Sequence, residues 1–305
     1  MPNKRFDFND FVNGGSGNSD FGLGHPRGLD LRVELPQTTE RLVGVDLTHI
    51  IQTHDVEAAK GGSGGGGGAG GSGGGGTTYA NYTAGAIGGY NITIQFNGTW
   101  TAELHQVFVD AADRLTALII QDVPDVTVRG AKGAPKVVDD ILITAELGAI
   151  DGLYGILGQA GPTSVRTGSS LPATAQMQFD IEDVNAMGVS VFSEVVLHEM
   201  AHSLGFGSIW DRLGLVSNGT FTGTNANNEY HALGGTGFIP VEQDGGSGTA
   251  GSHWDEETFG NELMTGYIND GENYFTAMSA ASFRDMGYGI TNNYQTWADD
   301  GYIFA

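Results

Sequence analysis

The stretch Val191-Phe-Ser-Glu-Val-Val-Leu-His-Glu-Met-Ala-His-Ser-Leu204 decides how this 305-residue chain is read. Val191, Phe192, Val195, Val196, Met200, Ala201 and Leu204 recur at intervals that predict a buried helix, and Gly205 is placed to stop it. Into that apolar helix the sequence sets three polar groups: His198, Glu199 and His202. Four helical residues turn the chain by about 400°, leaving the two imidazoles about 40° apart in azimuth and about 6 Å apart along the axis. Both can reach one metal ion. Neutral imidazole nitrogens suit zinc, and the carboxylate of Glu199, beside the first ligand, can reach a metal-held water without ligating. With 8 His and 14 Glu in the chain, a His-Glu-x-x-His match arises by chance about 0.01 times. The competing reading is a core helix with hydrogen-bonded histidines, which would require a buried partner for each of three adjacent polar groups.

Outward from this helix the pattern is layered. Asn91 to Phe96 alternates like a strand and Asn97-Gly98 breaks it; Thr101 to Ile120 then carries Leu104, Val107, Phe108, Ala111, Leu115 and Leu118 at helical spacing. Asp140 to Ala145 and Ala175 to Asp180 read as further strands, and Ser279 to Met286 as a short helix closed by Gly287. The expectation is an α+β or α/β layered domain with a loop-rich C-terminal part, because 207–261 is dominated by Gly, Asn, Ser and Thr. The segment 61–76 holds 13 Gly in 16 residues and reads as a flexible linker. It divides an accessory segment, 1–60, from a catalytic domain over 77–290 and a tail, 291–305. In the accessory segment only LDLRVEL (29–35) and RLVGVDLTHI (41–50) alternate, enough for a strand or two. A calcium-binding Gly-rich repeat is rejected: the nearest match, 14–22, has its Asp one position late and does not recur, so calcium has no support from the residues.

Composition removes several classes. With no Cys there is no thiolate metal site, cysteine nucleophile or disulfide framework, so metal chemistry rests on His and carboxylates. A formal net charge of -23 repels phosphate backbones and anionic membranes, and no apolar run approaches a membrane span. The sequence starts without an apolar signal stretch, and the acidic pair Asp299-Asp300 before Tyr302-Ile-Phe-Ala305 looks like a signal for type I bacterial export. The expected location is extracellular or at the cell surface, with a frayed last strand as the plainer reading of that tail.

Two histidines leave further ligand positions to be filled. In the extended pattern His-Glu-x-x-His-x-x-Gly-x-x-His, Gly205 stands at the glycine, but Ser208 occupies the place of the third histidine. Asp211, Glu229, His231 and His253 are the candidates. His25, His49 and His54 precede the linker, and His105 falls on the long helix.

Taken together, His198-Glu-Met-Ala-His-Ser-Leu-Gly-Phe206, Ser252-His-Trp254 and Glu262-Leu-Met-Thr265 resemble the leishmanolysin-type metzincins, especially their bacterial branch. Leu157 to Pro162, Met177 to Asp180 and Asp285-Met-Gly-Tyr288 extend the likeness over about 88–290. The resemblance implies a metzincin-like fold with a twisted mixed sheet, zinc on His198, His202 and His253, Glu199 as general base and Met264 as the Met-turn residue beneath the metal. It implies a zinc metalloendopeptidase acting on polypeptides, with substrate lying extended beside an edge strand before the active helix, a place that Ala175 to Asp180 fits. Tyr267, three past Met264, stands near where some metzincins carry a transition-state-stabilising tyrosine two past theirs; a packed aromatic is the plainer reading. His231 is the rival ligand. The cysteine latch of the eukaryotic members cannot operate in this Cys-free chain. The alternative function is a catalytically silent, zinc-stabilised adhesin or surface-binding module; a non-metal enzyme comes third, as no G-x-S-x-G elbow occurs.

Overall fold

The computed structural model describes residues 29–32, 76–129, 135–150, 152, 153, 156–244, 246, 249–269 and 271–304. In chain order, β1 (Leu29–Arg32), β2 (Tyr82–Ala84) and β3 (Ile92–Asn97) precede α1 (Ala102–Leu118), then β4 (Val126–Val128) and β5 (Lys136–Val138) form a small hairpin. β6 (Ile141–Gly148), β7 (Ile156–Val165) and β8 (Pro172–Asp180) lead into α2 (Ile181–Ser203). The C-terminal part holds α3 (Trp210–Leu213), β9 (Val216–Ser217), β10 (Thr220–Phe221), α4 (Thr224–Ala232), β11 (Ile239–Pro240), α5 (Glu256–Phe259), α6 (Ala277–Asp285) and α7 (Tyr294–Trp297).

A mixed six-stranded sheet in the order β1-β7-β8-β6-β3-β2 forms one layer. β3 pairs parallel with β6 and β6 parallel with β8, whereas β1, β2 and β7 run antiparallel to their neighbours. The alternation seen in β3 and β6 sorts their side chains: Ile92, Ile94 and Phe96, with Ile141, Ile143 and Ala145, are buried while the residues between them are half-exposed. Helices α1 and α2 form the second layer. α1 opens on Thr101, whose side chain accepts from the Leu104 amide, and buries Leu104, Val107, Phe108, Ala111, Leu115 and Leu118 as its period demands. Phe108, Phe179 and Phe192 meet edge to face at centroid distances of 5.1–6.0 Å and join α1, β8 and α2.

The expected mixed, layered sheet is therefore present, and the differences from the sequence reading have physical causes. Ala175 to Asp180 is no edge strand: β8 is hydrogen-bonded on one side to β6 and on the other to β7. Its outer neighbour β7 is punctuated by Gly158, Gly161 and Pro162, a composition that conceals a strand. Gly158 is required there, since a Cβ would lie 2.7 Å from Cδ1 of Phe179 on β8. β7 in turn pairs with β1, whose four residues come from the alternating LDLRVEL segment. The second alternating segment, 41–50, and the linker 61–75 lie outside the described residues. Helix α2 starts ten residues before Val191, with Asp180 as its cap and a break at Gly188 (φ 77°, ψ 166°), so the apolar helix of the sequence is its second half. The region read as loops contains α4, whose sequence TNANNEYHA has no apolar period. A distant residue holds its start: Asp285 accepts from the Asn225 and Ala226 amides at 2.9 Å each.

Candidate metal centre

The turn that ends α2 determines what its two histidines can meet. Gly205 takes φ 111°, and a Cβ on it would lie 2.7 Å from Cδ1 of Ile209; the chain reverses there and brings the Phe206 carbonyl under His202. Gly207 follows at φ 66°, where a Cβ would lie 2.0 Å from the Ser252 carbonyl oxygen. That near-contact between backbones delivers the segment carrying His253. Trp254 then stacks on Trp210 at 4.8 Å and meets Phe206 edge to face at 5.1 Å, anchoring the segment in the core beneath α2.

His198, His202 and His253 converge. Their Nε2 atoms stand 2.8 Å (His198 to His202), 3.0 Å (His202 to His253) and 3.3 Å (His198 to His253) apart, all three side chains being buried. Each opposite nitrogen faces a backbone carbonyl: Nδ1 of His198 meets Leu263 O at 2.7 Å, that of His202 meets Phe206 O at 2.9 Å, and that of His253 meets Thr249 O at 3.1 Å. A carbonyl only accepts, so each Nδ1 carries the proton and donates it, which leaves three unprotonated Nε2 lone pairs facing one another. No proton is available to join them. Three buried lone pairs at this separation are a donor set for a cation. A tetrahedral ion with bonds of about 2.0–2.1 Å sets its ligand nitrogens about 3.3–3.4 Å apart, a spacing that the longest side of the triangle, 3.3 Å, already has and the two shorter sides reach by a small opening. Burial also keeps the imidazoles neutral. It pushes His198 down to about 3 and His253 to about 4, and it holds His202 well below the usual histidine range, the neighbouring imidazoles adding to the effect at His198 and His202. The three residues can thus hold a metal ion.

The other sequence candidates fall as follows. Glu199 is buried on α2 next to His198. Met264 is fully buried in the turn after α5; its carbonyl accepts from the Trp254 amide at 3.0 Å, and the residue before it supplies the carbonyl that holds His198. Tyr267 is partly buried against the same core. His231 points elsewhere: it is exposed, and its Nε2 donates to the Gly237 carbonyl at 2.7 Å. Glu229 accepts from the Tyr294 hydroxyl at 2.6 Å and from Gln295, and Asp211 is exposed, so neither joins the trio. His105 stacks on Tyr79 at 3.9 Å; His25, His49 and His54 lie outside the described residues. A second acidic group, Asp122, Asp139 and Asp140, lies by β6, but both oxygens of Asp140 already accept backbone amides, from Asn91 at 2.6 Å and Val123 at 2.8 Å. The sequence reading missed the three orienting carbonyls, which leave no side-chain trace, and the role of Gly207.

A family model described as leishmanolysin matches residues 155–298, a span that includes all three histidines. A leishmanolysin homolog from Crithidia fasciculata is 29% identical over 152 residues, covering 44% of this chain and 22% of that protein. The leishmanolysins of Leishmania donovani and Leishmania major are each 28% identical over 132 residues, covering 38% of this chain and 22% of theirs. The matched region is thus about a fifth of the length of these curated relatives. Over residues 155–298 the chain is thus similar to the leishmanolysins.

Proposed function

We propose that this protein is a zinc-dependent metalloendopeptidase, with His198, His202 and His253 as the zinc ligands, Glu199 as general base and Met264 as the apolar residue of the turn beneath the site. The observation that carries the reading is the set of three buried, unprotonated Nε2 atoms within 3.3 Å of one another, each fixed by a carbonyl at its far nitrogen. Similarity to leishmanolysins over 155–298 supports peptide hydrolysis as the use of that site.

Bound there, zinc supplies Lewis acidity, which lowers the pKa of a water to about 7 and polarises a peptide carbonyl. The chain's own residues do the rest. Three neutral imidazoles bring no charge of their own and so leave the cation's full charge available. The carbonyls of Leu263, Phe206 and Thr249 lock each ring in one tautomer, so no proton competes for the ligating nitrogen. The carboxylate of Glu199, one residue from His198 on a rigid helix, takes a proton from the attacking water and passes it to the leaving amine nitrogen. Tyr267, on the chain just after Met264, supplies a phenol to the developing oxyanion; Tyr267→Phe should lower kcat and leave zinc content unchanged.

The test is hydrolysis of an unfolded protein substrate with and without a chelator, repeated with Glu199→Gln. Chelation should abolish cleavage, and Glu199→Gln should lower it about 10²–10⁴-fold while zinc stays bound. Undiminished cleavage in either arm refutes the proposal.

A further inference from the structure

The fully buried carboxylate of Glu262 takes no part in the chemistry above, yet several hydrogen bonds end on it. Its Oε2 accepts from the Met264 amide at 2.6 Å. Its Oε1 accepts from the Thr276 amide at 3.2 Å, the Thr276 hydroxyl at 2.8 Å and the Ser279 hydroxyl at 2.5 Å, all at the start of α6. Burying a carboxylate is costly unless its lone pairs are satisfied, and here four donors converge on it.

Two paths lead from Glu262 to the imidazoles. On the first, the bond to the Met264 amide closes a tight turn over 262–264, and the middle residue of that turn, Leu263, presents the carbonyl that accepts from His198 Nδ1 at 2.7 Å. On the second, the Ser279 hydroxyl that donates to Glu262 accepts from the Trp254 indole at 2.8 Å, and Trp254 directly follows His253; its amide also donates to the Met264 carbonyl at 3.0 Å. One carboxylate thereby ties α6 to the backbone that aims His198 and to the residue next to His253.

We propose that Glu262 is a positioning residue of the metal centre: through Leu263 O and through Ser279 and Trp254 it fixes the directions of the His198 and His253 rings. The inference rests on the reading of the three histidines as metal ligands. It differs from a role in fold stability alone, because it requires the metal site to change more than the rest of the molecule when Glu262 is altered.

The experiment compares zinc affinity of the full chain, by competition with a chromophoric chelator, and the visible spectrum of the cobalt(II)-loaded protein, whose bands report ligand geometry. In Glu262→Gln the oxygen facing Thr276 and Ser279 is retained, while an amide NH₂ meets the Met264 N–H donor to donor. The expected result is zinc affinity 10- to 100-fold weaker, the range for loss of a partner that orients ligands, with an altered cobalt spectrum. Ser279→Ala, which cuts only the path to Trp254, should give a smaller loss in the same direction. Leu115→Ala, in the remote core of α1, serves as the control and should lower thermal stability while keeping wild-type affinity and spectrum. Wild-type affinity and spectrum in Glu262→Gln overturn the proposal; where that variant does not fold, wild-type values in Ser279→Ala overturn it. A wild-type chain that binds no zinc overturns the metal reading itself, and this inference with it.

Discussion

Gly207→Ala should damage the metal centre. The added Cβ would sit 2.0 Å from the Ser252 carbonyl oxygen and 2.8 Å from its carbonyl carbon, where ordinary contact begins at 3.4 Å. One of the two backbones must therefore retreat by about 1.4 Å. The left-handed conformation at φ 66° adds a further cost of roughly 1–2 kcal/mol for a residue with a side chain. Ser252 immediately precedes His253, so a retreat of that size carries the third imidazole out of a donor set whose bond lengths tolerate only about 0.2 Å. Losing one ligand should cost more than disturbing its orientation, so zinc affinity should fall by at least about 100-fold. The assay is a chelator competition at neutral pH, paired with a thermal melt of the metal-free protein. Gly234→Ala is the matched control: it also has positive φ (101°), but nothing lies within 4 Å of the added Cβ. That variant should lose only the backbone term and keep its zinc affinity. Equal affinities in the two glycine variants would refute the argument that the Gly207–Ser252 contact delivers His253.

Three further predictions concern the site and the core that supports it. Metal analysis of His253→Ala beside His231→Ala should show zinc lost from the first and retained by the second; the reverse would refute the ligand assignment. With the imidazoles pushed down to about 3 and 4, protons should compete with zinc only below about pH 4, so affinity should change little between pH 7 and 5. Three imidazoles titrating near 6.5 would instead lose up to about 1000-fold per pH unit below that point, and such a slope in a pH-dependent titration would contradict the burial argument. Phe192→Ala removes the ring that joins α2 to Phe108 and Phe179 and should cost about 3–5 kcal/mol in chemical denaturation; a loss under 1 kcal/mol would mean the layers are held elsewhere.

The helical half of the site was legible because the α-helix fixes geometry from spacing alone: His198 and His202, four apart, had to share a face. His253 was not legible in that way. The path from Gly205 to Ser252 crosses a small sheet, α3 and α4, and no spacing rule computes where such a path ends; the likeness of Ser252-His-Trp254 to a known family singled it out, and the structure brings its Nε2 to 3.0 and 3.3 Å from those of His202 and His198. The strands β3 and β6 announced themselves by alternation over one buried face. β7 did not, because Gly158, Gly161 and Pro162 interrupt its pattern, Gly158 for close approach to Phe179, and without β7 the next strand in looked like an edge. α4 escaped for a related reason: what satisfies its N-terminus is Asp285, 60 residues away, rather than a cap in its own sequence. Backbone acceptors such as Leu263 O are invisible to any reading of side chains, although they decide which nitrogen of each histidine is left to bind a metal.

The central claim is that three imidazoles, each through Nε2, hold one zinc ion. Zinc K-edge X-ray absorption on the full chain loaded with one equivalent tests it most directly. The account requires three imidazole nitrogens at about 2.0–2.1 Å from the ion. A first shell with two imidazoles, or with a carboxylate in place of the third, would contradict it.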